Sequence, residues 1–305
     1  MKNKIHHYGN VLISGMKEIS RLSLLLLIFS PGLALSASAP DFWLAERGTQ
    51  KIWLLGSIHV GNENMYPLSN AVMESWQQVS MLVVETDLSS TPDSQQSLLG
   101  YAMLPTGTTL NQQIEPALYK KTLSVAEQYQ LAEPFLAQFK PWFVAITLQQ
   151  QAIQQAGYQA DLGIDHYFIE LAHQQQTSVH YLETPEQQLN YLAQLGDMQD
   201  DFLDATLQQI NTVNSELPAL INAWKNGDKA KIQALLDDED SSPELRQYLA
   251  ERLIKERNQR WLPQLMTQTP DRTFVVVGAM HLYGHNGLLE LLKENGYQLS
   301  NINTH

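Results

Sequence analysis

The sequence predicts an α/β fold with a mostly parallel central sheet, an N-terminal β-hairpin and a helical middle insertion. Three observations carry that prediction. Met81-Leu82-Val83-Val84 and Thr273–Val277 are continuous apolar runs, as strands buried on both faces require. Between them lie long stretches of helical periodicity, and strand–helix–strand alternation gives a parallel sheet. No internal repeat of solenoid length competes with this reading.

The elements follow in order. Phe42–Ala45 and Lys51–Leu55 flank Glu46-Arg47-Gly48-Thr49-Gln50 and read as a hairpin whose second strand runs on to Gly56. A helix is expected over Ser69–Val79, and the strand Met81–Val84 after it. Residues 89–110 are turn-rich with little periodicity. Pro141 opens a helix with Trp142, Ala145, Ile146, Ile153 and Ala156 on one side, stopped by Gly157. Ile164, Phe168 and Leu171 mark another. Ser178–Leu182 is a short strand, followed by the capping box Thr184-Pro185-Glu186-Gln187. Asp237-Asp238-Glu239-Asp240 lacks the glycine and ligand spacing of a calcium loop and reads as a solvated linker. Ser242-Pro243-Glu244 caps a long helix running to about Trp261. Thr273–Val277 is the last buried strand, and the helix Leu288–Glu294 is closed by Gly296. These elements make one domain over 40–305, with the helical insertion at about 110–262.

The N-terminus reads as an address. Leu22–Phe29 is nearly all apolar, Lys17 and Arg21 precede it, and Ser36-Ala37-Ser38-Ala39 follows. Basic residues, an apolar core and small residues are the three parts of a secretory signal, here residues 1–37. A start at Met16 would give an n-region of ordinary length. Cleavage is expected between Ser36 and Ala39, leaving a periplasmic or secreted chain with no membrane attachment.

Composition excludes several classes. The 305-residue chain has no cysteine, so disulfides, thiolate metal sites and a cysteine nucleophile are ruled out. A formal net charge of −13 argues against nucleic acid as a partner, because neutralising phosphates takes clustered Lys and Arg.

The chemistry is carried by an echo. Leu54-Leu55-Gly56-Ser57-Ile58-His59 and Val276-Val277-Gly278-Ala279-Met280-His281 each end an apolar strand in glycine, with a histidine three residues later. Glycine permits a sharp turn and close approach of a ligand to the backbone. Acids end two further strands: Glu85 after Met81–Val84, and Glu183 after Val179-His180-Tyr181-Leu182. If the four strands are parallel neighbours, His59, Glu85, Glu183 and His281 converge at the carboxyl edge of the sheet, where open α/β folds place their sites. Such a set suits a divalent transition metal with an open position for water, zinc among them. Without metal it could work as a histidine base with a carboxylate orienting it. Glu85 could equally be a turn acid, and Glu183 lies against the capping box. Arg257 falls between Leu253 and Trp261 on the apolar face of the long helix, and a guanidinium cannot be buried unpaired. It either bridges a site acid or holds an anionic intermediate. Asp161 and Asp165 flank Gly163 and read as helix-capping acids. His166, His173 and His180 read as surface or packing residues, and His285 does not complete a His-Glu-x-x-His pair.

Further motifs stand in the same order along the chain: Gly56-Ser57-Ile58-His59-Val60-Gly61 with Met65-Tyr66-Pro67-Leu68, Glu85-Thr86-Asp87, Lys140-Pro141-Trp142, Gly163-Ile164-Asp165, Leu182-Glu183-Thr184 with Gln187, Glu256-Arg257-Asn258, and Gly278-Ala279-Met280-His281-Leu282. Together they resemble the TraB/GumN family, related to the animal Tiki proteins, from about Phe42 to Ile302. The Tiki members are regarded as metal-dependent proteases favouring manganese or cobalt. The resemblance therefore implies that His59, Glu85 and His281 occupy the metal and catalytic motifs, and that Arg257 occupies the Glu-Arg-Asn motif. The wider superfamily is similar in fold to erythromycin esterases and to a haem-binding lipoprotein. Met280 departs from the family pattern, which has a smaller or polar residue there. The expected function is a metal-dependent hydrolase of a peptide or small-molecule substrate. Its metal-bound water would attack a carbonyl, Glu85 or Glu183 would act as ligand or base, and Arg257 would stabilise the oxyanion. The alternatives are a periplasmic haem- or metal-binding protein without catalysis, and a pseudoenzyme that only binds a partner.

Overall fold

The computed structural model describes residues 37–89, 92–236 and 241–302. The leader-like run Leu22–Phe29 and the acidic run Asp237–Asp240 lie outside the described residues. Six strands form one mixed sheet: β1 (Phe42–Arg47), β2 (Gln50–Ser57), β3 (Met81–Val84), β4 (Ser178–Tyr181), β5 (Arg272–Gly278) and β6 (Gln298–Asn301). Their spatial order is β4-β3-β5-β2-β1-β6. The expected hairpin is β1–β2, with Gly48 supplying the positive φ of its turn. β2, β5, β3 and β4 run parallel. β5 comes last of these in sequence but inserts between β2 and β3, so the end of β5 is flanked by the ends of both.

Alternation along the strands feeds two cores. Trp53, Leu55, Leu82, Val84, Phe274 and Val276 face Trp76, Ile164, Phe168 and Trp224. Ile52, Leu54, Val83, Val275 and Val277 face Trp261, Leu265, Leu288 and Leu292 on the other side. With both faces covered, the central strands have no room for the polar alternation of a half-exposed sheet. A third core joins the helices Pro141–Gln155 and Gln199–Lys225 around Trp142, Leu148, Leu203 and Leu207.

Two expectations need correction, and one element went unread. The stretch 89–110 contains a helix, Pro92–Ala102. Leu98, Tyr101 and Ala102 have the i, i+3, i+4 spacing of its inner face, but the exposed Leu99 and Gly100 between them blur the period. Thr273–Val277 is the last buried strand, as expected, but a further, exposed strand that the sequence reading left out, β6, pairs antiparallel with β1. Its polar Gln298, Ser300 and Asn301 make an edge strand without an apolar run. The long helix after Ser242 is not uniformly α-helical. Pro243–Leu249 passes into a π-helical turn at Ala250–Lys255 and then into Glu256–Thr267. Its middle therefore departs from a 3.6-residue period. Leu253 and Ile254 are only half-buried, whereas Arg257 and Asn258, adjacent in sequence, are both buried. Among the described residues no helix is long and apolar enough to cross a membrane.

Gly56 is required by packing. A Cβ there would lie 3.0 Å from Ala279 Cα and 3.2 Å from Leu282 Cδ1. Its carbonyl meanwhile accepts the Trp224 indole N–H at 2.7 Å. Overpacking of this kind costs about 1–3 kcal/mol. Gly56→Ala is therefore expected to lower the melting temperature measurably, and a melting curve equal to wild type would show that the strand end has slack.

Candidate active site

The carboxyl edge of the parallel strands carries two linked groups of side chains. The first is open to water. His59 stands two residues beyond β2, on a loop clamped against the residues leading into the helix Ile164–Gln175. Gly61 and Gln159 exchange backbone hydrogen bonds, and Ile164 N–H donates to Ile58 O. The clamp depends on absent side chains: a Cβ at Gly61 would lie 2.1 Å from Leu162 O, and one at Gly163 would lie 2.5 Å from His59 O. Held in this way, His59 Nδ1 meets Asp165 Oδ2 at 2.9 Å, and the Ser57 hydroxyl donates to Asp165 Oδ1 at 2.7 Å. Asp165 is thus the buried partner of His59 and not a helix cap. The cap position belongs to Gly163, which has no side chain to offer. Asp161 is exposed, as a solvated acid would be.

The His59 ring is 62% exposed, so it lines an open surface. The Asp165 carboxylate, outweighing desolvation, raises its pKa to about 9. With Nδ1–H committed to Asp165, Nε2 is the working nitrogen. It lies 3.3 Å from the place a Cβ would occupy on Gly278, and Glu85 Oε1 lies 3.2 Å from the same place. The second echo glycine therefore differs from the first: Gly278 keeps open the point that His59 and Glu85 share.

The other group is buried and centred on Arg257. Its Nη2 donates to Glu85 Oε2 at 2.5 Å and to Glu183 Oε1 at 2.6 Å, and its Nε donates to Glu183 at 3.1 Å. Its Nη1 donates to Leu253 O at 3.2 Å and to His281 Nε2 at 3.0 Å. All five N–H bonds are thereby engaged within the protein. Its guanidinium carbon lies 4.6 Å from the Trp261 ring centroid and 5.8 Å from that of Tyr191. Since a guanidinium only donates, His281 Nε2 must accept, which puts the proton on Nδ1, where it is given to Asn258 Oδ1 at 2.8 Å. Burial holds His281 neutral, its pKa lowered to about 3. Burial also works against the charged form of Glu85, but the positive charges of Arg257 and His59 and the Gly278 N–H outweigh it and hold the carboxyl at about 2. Glu183 is raised, because burial and the nearby Glu85 charge oppose the pull of Arg257.

His59, Glu85, Glu183, Arg257 and His281 therefore meet at one edge. Their arrangement differs from the expected one in two ways. The expected metal ligands His59, Glu85 and His281 are not gathered around one common point as they are placed, and no group of three His, Asp or Glu is so gathered among the described residues. The chemistry of the donors gives the reason. Both His281 nitrogens are engaged, Glu85 Oε1 accepts from Gly278 N–H at 2.7 Å, and Glu85 Oε2 accepts from Arg257 and from Gln188 Nε2 at 3.2 Å. The residues as arranged do not fit a divalent ion. Arg257, for its part, has no N–H left for an oxyanion and acts as a bridge. Asn258 was the residue most hidden from sequence reasoning. Fully buried, it donates to His281 O at 3.0 Å and Asn286 O at 2.7 Å, pinning the loop after β5. The only signal for it was its place beside Arg257 in Glu-Arg-Asn. His180 contacts Gln264 at 3.2 Å, away from this cluster, as a packing residue does.

A family model described as the TraB/PrgY/gumN family matches residues 41–301. Two curated relatives, each titled "Uncharacterized protein YbaP", come from Escherichia coli (strain K12) and Shigella flexneri. Each is 29% identical over 265 residues, covering 82% of this chain and 96% of the relative. No solved structure matches.

Removing one partner of a buried ion cluster leaves the other charges uncompensated, at roughly 3–5 kcal/mol. Arg257→Ala is expected to lose stability on that scale by urea denaturation. A loss below about 1 kcal/mol, the range of exposed pairs, would mean that the bridge is not structural.

Proposed function

Given that the chain belongs to the TraB/PrgY/gumN family, we propose that it is an exported hydrolase that opens a carbonyl-centred bond, a peptide bond first of all, with a water activated at His59. The observation that carries this reading is the His59–Asp165 pair: an accessible imidazole backed by a buried carboxylate, its free nitrogen facing the point shared with Glu85 above Gly278. That pairing orients a general base and fixes its tautomer.

In the proposed cycle, neutral His59 takes a proton from water through Nε2 as the water oxygen attacks the carbonyl carbon. Asp165 stabilises the imidazolium so formed, and the same proton is then delivered to the leaving amine as the C–N bond breaks. Glu85, kept ionised by Arg257 and the Gly278 N–H, is a second acceptor for the attacking water. Arg257, Glu183 and His281 act through Glu85 as positioning residues, holding its carboxylate in place and balancing its charge. The peptide preference comes from the resemblance to the Tiki proteases.

Two expected outcomes follow. The base form of His59 is scarce at pH 7 and grows as the pH rises toward 9, so kcat/KM on a quenched-fluorescence peptide library should climb between pH 7 and pH 9. Asp165→Asn removes the field that raises the pKa, so the climb should move to lower pH while the plateau falls. A flat profile, or an unshifted one in Asp165→Asn, would sink the base assignment. The same linkage sets stability: His59 holds its proton more tightly folded than unfolded. Its contribution is full below its ordinary value of 6.5 and is lost as pH rises through about 9.

Export is tested by mass. The backbone of Ser38 donates to Pro67 O at 2.9 Å and accepts from Ser69 N–H at 2.8 Å, and its hydroxyl donates to Met65 O at 2.6 Å. A mature chain beginning at Ala37 or Ser38 keeps this seam. Intact mass of the periplasmic fraction should show one of those starts, and a full-length chain in that fraction would count against signal processing.

A further inference from the structure

We propose that Arg257 is the resident cation of this site: its guanidinium stands where a divalent ion would have to sit among Glu85, Glu183 and His281, so the chain takes no metal there while Arg257 is present. The inference rests on the geometry of the buried cluster and not on the hydrolase reading.

Three metal-type donors converge on one guanidinium. Glu85 Oε2, Glu183 Oε1 and His281 Nε2 lie 2.5, 2.6 and 3.0 Å from its terminal nitrogens. Two carboxylates and a neutral imidazole are a good ligand set for zinc or manganese, and an ion bound by them would sit about 2.0–2.2 Å from each donor. Such an ion would compete for the lone pairs that Arg257 holds. No ring flip frees His281, because Nδ1 carries the proton given to Asn258. Nor does a turn of the Glu85 carboxyl free it, because its other oxygen holds the Gly278 N–H.

An independent observation comes from the surroundings of the guanidinium. The Trp261 and Tyr191 rings approach it at 4.6 and 5.8 Å. Flat aromatic walls suit a weakly hydrated planar cation, whereas a small divalent ion is held by lone pairs and gains little from a ring face. The Trp261 ring also packs against the His281 imidazole, centroids 4.4 Å apart and planes tilted by 44°, which helps hold the imidazole toward Arg257. The pocket is built around the guanidinium. Once the cation is removed, the two acids and the imidazole remain as a vacant ligand set.

The experiment measures metal without turnover, so its failure is distinguishable from that of the hydrolase reading. Wild-type protein, stripped with chelator and dialysed against Mn²⁺, Co²⁺ or Zn²⁺, is assayed for bound ion and for a shift in melting temperature. The expected result is no ion whose retention depends on Glu85. One equivalent held by wild type and lost in Glu85→Gln would overturn the proposal. Arg257→Met keeps the bulk of the side chain and removes the charge. It is expected to take up one Zn²⁺ per chain and to melt higher with zinc than without. A folded Arg257→Met, with the wild-type circular dichroism spectrum, that takes up no zinc would also overturn it. Should that variant fail to fold with or without zinc, the wild-type dialysis decides alone.

Discussion

Two carboxylates on neighbouring strand ends, both removed from water, cannot remain charged without a cation between them. Glu85 and Glu183 follow β3 and β4 and are joined by the backbone bond from Glu183 N–H to Glu85 O at 2.9 Å. Their side chains are each about one-twentieth exposed or less. Mutual repulsion and desolvation both oppose this arrangement, and Arg257 offsets them by donating to the two acids at once. Much of the architecture follows from bringing that guanidinium to the sheet edge. The helix Glu256–Thr267 lies across one face with Trp261 and Leu265 in the core, so that Arg257 reaches over the ends of β3 and β4. Asn258, one residue on, fixes the loop that carries His281.

The edge divides into a buried part and an open part. The guanidinium, the two carboxylates and the imidazole of the buried part have their hydrogen bonds matched donor to acceptor, and hydrogen bonds in a low-dielectric interior are strong. The open part is His59, whose partner Asp165 comes from a helix far away in sequence. Gly278 joins the two parts because β5 lies between β2 and β3. The crossing order of the strands thus places the shared point, and the parallel register brings the side chains to it.

The π-helical turn at Ala250–Lys255 immediately precedes the α-helical segment Glu256–Thr267 that carries Arg257 and Asn258. Here Arg257 and Asn258 are both buried, and both are needed: one for the acids, the other for the histidine and its loop.

By itself the sequence determined the parallel sheet, the hairpin, the capping box at Thr184 and the gathering of His59, Glu85, Glu183 and His281 at one edge. These are local properties. An apolar run long enough for a strand, a glycine at its end and the residue three positions later all lie within one stretch of chain, and hydrophobic period reports them directly. The family resemblance rested on the same local strings. The edge strand β6 and the helix Pro92–Ala102 escaped because their patterns are short and interrupted by polar or small residues. Tertiary structure alone decided the partners. Asp165 reads as a capping acid until the clamp at Gly61 and Gly163 sets it under His59. Arg257 reads equally as a bridge or an oxyanion donor until each of its N–H bonds is seen to end on a protein acceptor. Asn258 shows its role only once the loop after β5 is packed against it and accepts its amide N–H bonds. Hydrogen bonds spanning 23, 74, 106 and 172 residues of sequence have no local signature. Which donor meets which acceptor is settled only when the packed sheet and helices bring them within reach and burial leaves them no water to turn to.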